Sequence, residues 1–182
     1  MIKVLVPLAQ GCEELEAVTI TDLLVRAGMQ VTTAGLDSKP VKASRGMRLM
    51  PDTSIDKILD ETYDLIVLPG GLPGADHLRD DARVQTLLKK HAASGKYIGA
   101  ICAAPKALAQ AGLLEGKTAT SYPGVLSALK LSNTSIKESA LEVDGKIVTS
   151  RGPGTAMDFA LTLIELLAGK ARRDEVNRQL VR

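Results

Sequence analysis

Residues 96–105, KYIGAICAAP, restrict the possible folds more than any other stretch of the chain. The apolar run from Tyr97 to Ile101 reads as a buried strand, and Ala103 to Ala111 reads as a helix stopped by Gly112. Cys102 stands at the junction. A side chain there projects from a sharp strand-to-helix turn that needs small neighbours, and Ala100 and Ala104 are small. The pattern is a relaxed form of the G-x-S-x-G elbow, with a thiol in place of the hydroxyl. Pro105 suits a first helical turn, where its missing N–H costs no intrahelical bond, and it sets the helix start at the cysteine. A thiolate at a helix start faces the positive end of the dipole and free amide donors, so a lowered thiol pKa is expected. Free cysteine is also among the most buried residue types, and the local sequence serves a structural thiol equally well.

The remaining chain alternates strands and helices. Residues 2–8 form the first strand and Gln10 to Cys12 the loop after it. In the helix that follows, Glu13, Glu14 and Glu16 occupy the first turn, Leu15, Val18, Thr19, Leu23 and Ala27 recur at helical spacing, and Gly28 is the stop. Each glutamate singly is satisfied as solvated charge at a helix start. Residues 31–36 read as a second strand, 41–50 as an antiparallel excursion, and Ser54 as the cap of a short helix through Leu59. Residues 64–68 are a third core strand ended by Pro69-Gly70-Gly71. Adjacent glycines there either bring amides close to a ligand or permit a tight turn. His77 falls in a loop region after Gly74, and Asp81 caps a helix whose inner stripe is Val84, Leu87, Leu88 and His91. Residues 118–121 form a short strand before the turn Tyr122-Pro123-Gly124. Residues 135–143 and 146–150 flank Asp144-Gly145, a strong hairpin signal. Thr155 opens a helix with Met157, Ala160, Leu161, Ile164, Leu167 and Ala168 inward, and the charged tail from 170 to 182 reads as a solvated amphipathic helix.

Such alternation predicts one α/β domain over residues 1–182, a mostly parallel sheet with helices on both faces and a small antiparallel hairpin. At 182 residues the chain is long enough to remove roughly 70% of its unfolded surface from water. With three Tyr, one Phe and no Trp, the core must be aliphatic, and stacking platforms for single-stranded nucleic acid are lacking. A net charge of +2 gives no sign of sequence-specific nucleic-acid binding. No apolar segment approaches the roughly 20 residues of a membrane span, and Met1 leads into a strand, not a signal peptide, so a cytoplasmic protein is expected. Two cysteines without metal-type spacing suit a reducing compartment, and two histidines leave little for a metal site. Neither metal nor cofactor is expected.

Parallel sheets place ligands beyond the carboxyl ends of their strands. Residues 11–16, Gly70-Gly71, Cys102 and Gly152-Pro153 all follow strands, so a thiol, a carboxyl group and Gly-framed amides converge on one crevice. The segments GCEELEAV, YDLIVLPGG, AICAAP and TSRGPGTAMDFAL resemble the ThiJ/PfpI superfamily, and within it the branch of the parkinsonism-associated protein deglycase with its bacterial YajL-like members. The resemblance covers nearly the whole chain and implies a flavodoxin-like three-layer sandwich and a homodimer. It also implies that Cys102 is the nucleophile and Glu16 the carboxyl group hydrogen-bonded to it. Gly71 and Ala103 would supply oxyanion-hole amides and Gly70 would shape the turn, with Arg45, Gly152 and Pro153 lining the pocket or a nearby dimer contact. Cys12 has no role carried over.

One departure bears on mechanism: Tyr122 stands where members of this branch often have histidine before the proline. A Cys-His dyad is therefore not expected, and acid–base work falls on Glu16. By resemblance the activity is cofactor-independent removal of reactive dicarbonyls, as a protein and nucleotide deglycase, a hydrolase, and as a glutathione-independent glyoxalase that turns methylglyoxal into lactate. The alternative is a redox-responsive sensor or chaperone of oxidative stress that uses oxidation of Cys102. A peptidase is disfavoured because PfpI-type peptidases place histidine after the nucleophile, where this chain has Ala103.

Overall fold

A computed structural model describes residues 1–182. The first half of the chain runs β1 (Lys3–Leu8), α1 (Glu14–Arg26), β2 (Gln30–Gly35), β3 (Val41–Lys42), β4 (Arg48–Leu49), β5 (Thr53–Ser54), β6 (Leu65–Leu68), α2 (Gly74–Asp80) and α3 (Ala82–Ala93). The second half runs β7 (Tyr97–Ile101), α4 (Pro105–Gln110), β8 (Thr118–Thr120), β9 (Ser135–Lys137), β10 (Leu141–Asp144), β11 (Ile147–Ser150), α5 (Ala156–Ala168) and α6 (Lys170–Gln179). Seven strands form the main sheet in the order β10-β11-β7-β6-β1-β2-β5, and every pairing is parallel except the β10–β11 hairpin. Strands β6 and β7 are apolar almost throughout because helices cover both of their faces.

Alternation along each strand divides the core in two. Val4, Val6, Leu8, Leu65 and Val67 face α1 and α5, where Ile20, Leu24, Phe159 and Leu163 are buried. Leu5, Ile66, Leu68, Ile98 and Ala100 face the opposite layer, with Leu78, Val84, Leu88 and Leu108. Phe159, the only phenylalanine, is fully buried, and its ring lies over Gly99, where an added Cβ would come within 3.0 Å of Cζ.

The strand order also locates the crevice. From β1 the chain moves outward to β2, and from β6 it moves the other way to β7, so the loops after β1 and β6 diverge. Ligands bind at this kind of switch point in open α/β sheets.

Several local expectations are corrected. Residues 74–80, including His77, are helical, because the turn after Gly71 continues directly into α2. The Ser54 segment is one 3₁₀ turn, Ile55–Lys57, and the serine side chain makes no cap bond. Residues 135–143 are not one strand: β9 leaves to pair with β8 in parallel, and β10 pairs with β11. Helix α4 opens at Pro105, not at the cysteine. The inward stripe of α1 is Glu16, Ala17, Ile20, Leu23 and Leu24, while Leu15 and Val18 are half exposed. Along α5, Phe159 and Leu163 point inward and Met157 and Ala168 do not. Other expectations hold. Asp81 caps α3 by accepting from the Arg83 and Val84 amides, Asp144-Gly145 turns the hairpin, and β3 pairs with β4 antiparallel.

Truncating Phe159 leaves a cavity against Gly99 that the sheet cannot close. Phe159→Ala is expected to cost about 3–5 kcal/mol, measured by urea denaturation, with Tyr97→Phe on the same strand as a mild comparison.

Candidate active site

Cys102 follows β7 with φ +63°, a left-handed conformation that non-glycine residues seldom adopt. The turn is clamped on both sides: the Cys102 N–H donates to the Ser150 carbonyl at 2.9 Å, and the Cys102 carbonyl accepts from the Tyr122 N–H at 2.8 Å. Absence of side chains lets the neighbouring loops close in. A Cβ on Gly70 would lie 2.7 Å from the Cys102 Cβ and 2.8 Å from the Ile101 carbonyl oxygen. On Gly71, whose φ is +86°, it would lie 2.3 Å from the Glu13 nitrogen, and on Gly74, 2.5 Å from the Cys12 nitrogen. The loop after β6 therefore rests on the loop after β1, backbone on backbone, and the Glu13 N–H seals the contact by donating to the Gly70 carbonyl at 2.9 Å.

Helix α1 delivers Glu16 into this junction. The residue is fully buried, its Oε2 accepts from the Gly70 N–H at 2.7 Å, and its Oε1 has no partner among nitrogen or oxygen atoms. The Cys102 thiol is within hydrogen-bonding reach of this carboxyl. Burial, reinforced by repulsion from Glu13, pushes Glu16 up to about 7, against the pull of the Gly70 amide and the thiol.

The thiol itself departs from the sequence expectation. Burial first, then the charge of Glu16, push Cys102 up to about 12, while the N–H groups of Gly71 and Ala103 pull the other way. The helix-start effect is overruled because α4 begins beyond the cysteine, whose side chain is packed in the core with 8% of the residue exposed. Adjacent acids titrate as a pair. When the pair keeps a single proton, the negative charge resides either on a carboxylate with one amide donor or on a sulfur with two. A proton on Glu16 also removes the repulsion felt by the thiolate.

The other residues singled out in the sequence fall around this pair at different distances. Gly71 and Ala103 aim their amides at the sulfur. The ring of Tyr122 covers Gly152, where an added Cβ would stand 3.4 Å from Cδ2, and the Gly152 N–H donates to the Thr155 hydroxyl at 3.1 Å; Pro153 follows. Arg45 reaches the rim only: its side chain is 79% exposed and its Nε is 4.0 Å from the Glu13 carboxylate. Cys12 is fully buried, and burial followed by the charges of Glu14 and Glu13 pushes its thiol up to about 11, which makes it a core residue. No group of three or more His, Cys, Asp or Glu side chains is arranged to hold a metal ion.

Reading the glutamates as helix-start charge misses a tether. The Ser44 hydroxyl reaches Glu13 at 2.8 Å and Glu14 at 3.2 Å, and Glu14 also accepts from the Arg45 and Met47 amides. The β3–β4 hairpin is thus tied to the helix that carries Glu16. Ile20, Leu24 and Ala27 carry the signal that could have found the buried glutamate, since their helical phase turns Glu16 inward.

A carboxyl-paired cysteine on an elbow, at the switch point of a parallel α/β sheet, defines a class of thiol proteins built on the flavodoxin-like plan. The chain belongs to the DJ-1/PfpI family, whose model matches residues 2–166. Protein DJ-1 homolog A of Arabidopsis thaliana is 45% identical over 180 residues, which are 98% of this chain but 46% of that protein, so the chain spans less than half of that relative's length. The Caenorhabditis elegans protein named glutathione-independent glyoxalase DJR-1.2 is 34% identical over 171 residues, 94% of this chain and 91% of that one. The crystal structure of Drosophila melanogaster DJ-1beta superposes with a TM-score of 0.95 at 42% identity, covering 99% of this chain and 97% of that one.

Glu16 holds its proton more tightly folded, at about 7, than at its usual 4.5. The corresponding stabilisation is complete below pH 4.5 and is lost as pH rises through 7. Relative to Glu16→Gln, the wild type should lose up to about 3 kcal/mol between pH 4.5 and 8. Urea denaturation across that range tests this, and parallel pH profiles for the two proteins would contradict a buried, proton-holding carboxyl.

Proposed function

We propose that this protein detoxifies reactive dicarbonyls with Cys102 as nucleophile and Glu16 as acid and base, without metal or cofactor. The observation that carries the reading is the buried Glu16 carboxyl, held by the Gly70 amide beside a thiol that two further amides face. The likeness to a protein named as a glutathione-independent glyoxalase supports it.

The Cys102 thiolate adds to the aldehyde carbon of a 2-oxoaldehyde, and the new alkoxide takes the proton of Glu16 to give a neutral hemithioacetal. The amides of Gly71 and Ala103, freed from the sulfur's charge, lie beside the oxygen that bears it. Glu16, now a carboxylate, removes the C1 proton to give an enediol and returns it to C2, while the hydroxyl proton passes from the C1 oxygen to the C2 oxygen, leaving a thioester of the 2-hydroxy acid. Water then attacks the thioester with Glu16 as base. The acid departs, the thiolate is restored, and the net reaction is addition of one water to the oxoaldehyde. An early glycation adduct on a protein or nucleotide enters the same sequence once its hemithioacetal or hemiaminal carbon is transferred to Cys102, so deglycase activity belongs to the proposal.

A second reading has one observation in its favour: a proton-bearing carboxyl beside the thiol can donate to sulfur oxygens. In that role peroxide oxidises Cys102, and Glu16 holds the sulfinate and slows further oxidation. We assign a homodimer contact to the surface of α1 and the β3–β4 hairpin, where Leu15, Val18 and Met47 are half exposed and Met50 is exposed. No helix is long and apolar enough to cross a membrane.

Lactate production from methylglyoxal, in glutathione-free and chelator-treated buffer, tests the enzyme reading. Wild type should turn over, and Cys102→Ser and Glu16→Gln should each lose at least about 100-fold in kcat/KM. Absence of lactate from wild type with a demonstrably reduced Cys102 would transfer support to the redox reading.

A further inference from the structure

Two large apolar side chains stand exposed on loops that also handle the thiol. Leu72 is 56% exposed and directly follows Gly71, whose amide faces the Cys102 sulfur. Tyr122 is 51% exposed, and its N–H holds the Cys102 carbonyl while its ring rests on the bare backbone of Gly152. Side chains of this size are normally withdrawn from water, and apolar groups left exposed beside a reactive centre are suited to covering a ligand. The charged groups nearby are turned away: Glu13 and Glu14 are buried, with their carboxylates taken up by the Ser44 hydroxyl and the Arg45 and Met47 amides, and the Arg45 side chain points to solvent. A substrate approaching the sulfur thus meets an aromatic ring and a branched aliphatic group.

The geometry points to Leu72 and Tyr122 as a specificity subsite that receives the non-reacting substituent of the dicarbonyl. The favoured class is 2-oxoaldehydes with an aryl or branched alkyl substituent, ahead of methylglyoxal. It rests on the dicarbonyl reading above and adds to it the identity of the substituent. The aldehyde carbon reacts at the sulfur, and the ketone carbon carries its substituent outward between the two side chains. A half-open apolar contact of this size discriminates by about 10-fold, the lower end of what a hydrophobic pocket achieves.

The test compares phenylglyoxal with methylglyoxal in wild type, Leu72→Asn, Tyr122→Ala, Tyr122→Phe and Val143→Ala, the last an exposed apolar site on the sheet-edge hairpin. Two readouts are taken: the kcat/KM ratio of the two aldehydes, and the ratio of concentrations at which each protects Cys102 from iodoacetamide. Protection requires only reversible hemithioacetal formation, so it reports on the subsite even if nothing turns over. Using each substrate pair as a ratio cancels differences in folded fraction and intrinsic thiol reactivity. The phenyl-to-methyl ratio should fall about 10-fold in Tyr122→Ala and Leu72→Asn, persist in Tyr122→Phe, and stay at the wild-type value in Val143→Ala. Ratios within about 2-fold of wild type in both Tyr122→Ala and Leu72→Asn overturn the subsite. Loss of turnover with the protection ratios still shifting overturns the enzyme reading and leaves the subsite standing.

Discussion

Around the thiol, main chain lies directly on main chain, and the rest of the site follows from that contact. The loop after β6 can rest on the loop after β1 only because Gly71 and Gly74 lack side chains, and on the Cys102 elbow only because Gly70 does; any Cβ at these positions would meet a backbone or Cβ atom at 2.3 to 2.7 Å. Such closeness turns the Gly71 amide toward the sulfur and the Gly70 amide toward Glu16. It also fixes where α1 begins, and with it the depth at which Glu16 enters the core. The left-handed φ of Cys102 is sustained by a bond to the Ser150 carbonyl and one from the Tyr122 N–H, so strain at one residue is distributed over two further segments.

Within that frame the chemistry is governed by two acids that share a site too dry for two charges. Burial raises both groups, and the local amides decide which atom carries the single negative charge. A helix dipole is not needed for this. Pairing sets the protonation of the site and places a proton-holding carboxyl beside the Cys102 thiol near neutral pH.

The α/β plan was legible because strand and helix periods alternate cleanly: Tyr97 to Ile101, Asp64 to Leu68 and the Asp144-Gly145 turn each carry their own signal. The 74–80 helix was hidden because its glycine-rich entry reads as a loop, and the path of β9 depends on a partner, β8, that no local pattern specifies. On α1, Leu15 and Val18 look inward by hydrophobicity, yet the sheet takes up Glu16 and Ile20, because the bond from Gly70 compensates a buried carboxyl that composition alone would expose. The elbow at Cys102 was legible, but its raised thiol was not, since desolvation depends on what packs over the turn. The approach of the Gly70-Gly71 turn to Cys102 likewise arises from loop contact, not from sequence neighbourhood.

Cys102 and Ala103 belong to the same buried cluster as Val67, Phe159 and Ile164, with no intervening solvent layer. The sulfur is therefore a packing atom. Any group that becomes covalently attached to it, whether oxygen or a trapped carbon skeleton, must be fitted against glycine backbone that has no side chain to swing aside. Strain from such an adduct enters the layer of α1 and α5 directly, so the covalent state of one atom is expressed as looseness or tightness of half the core.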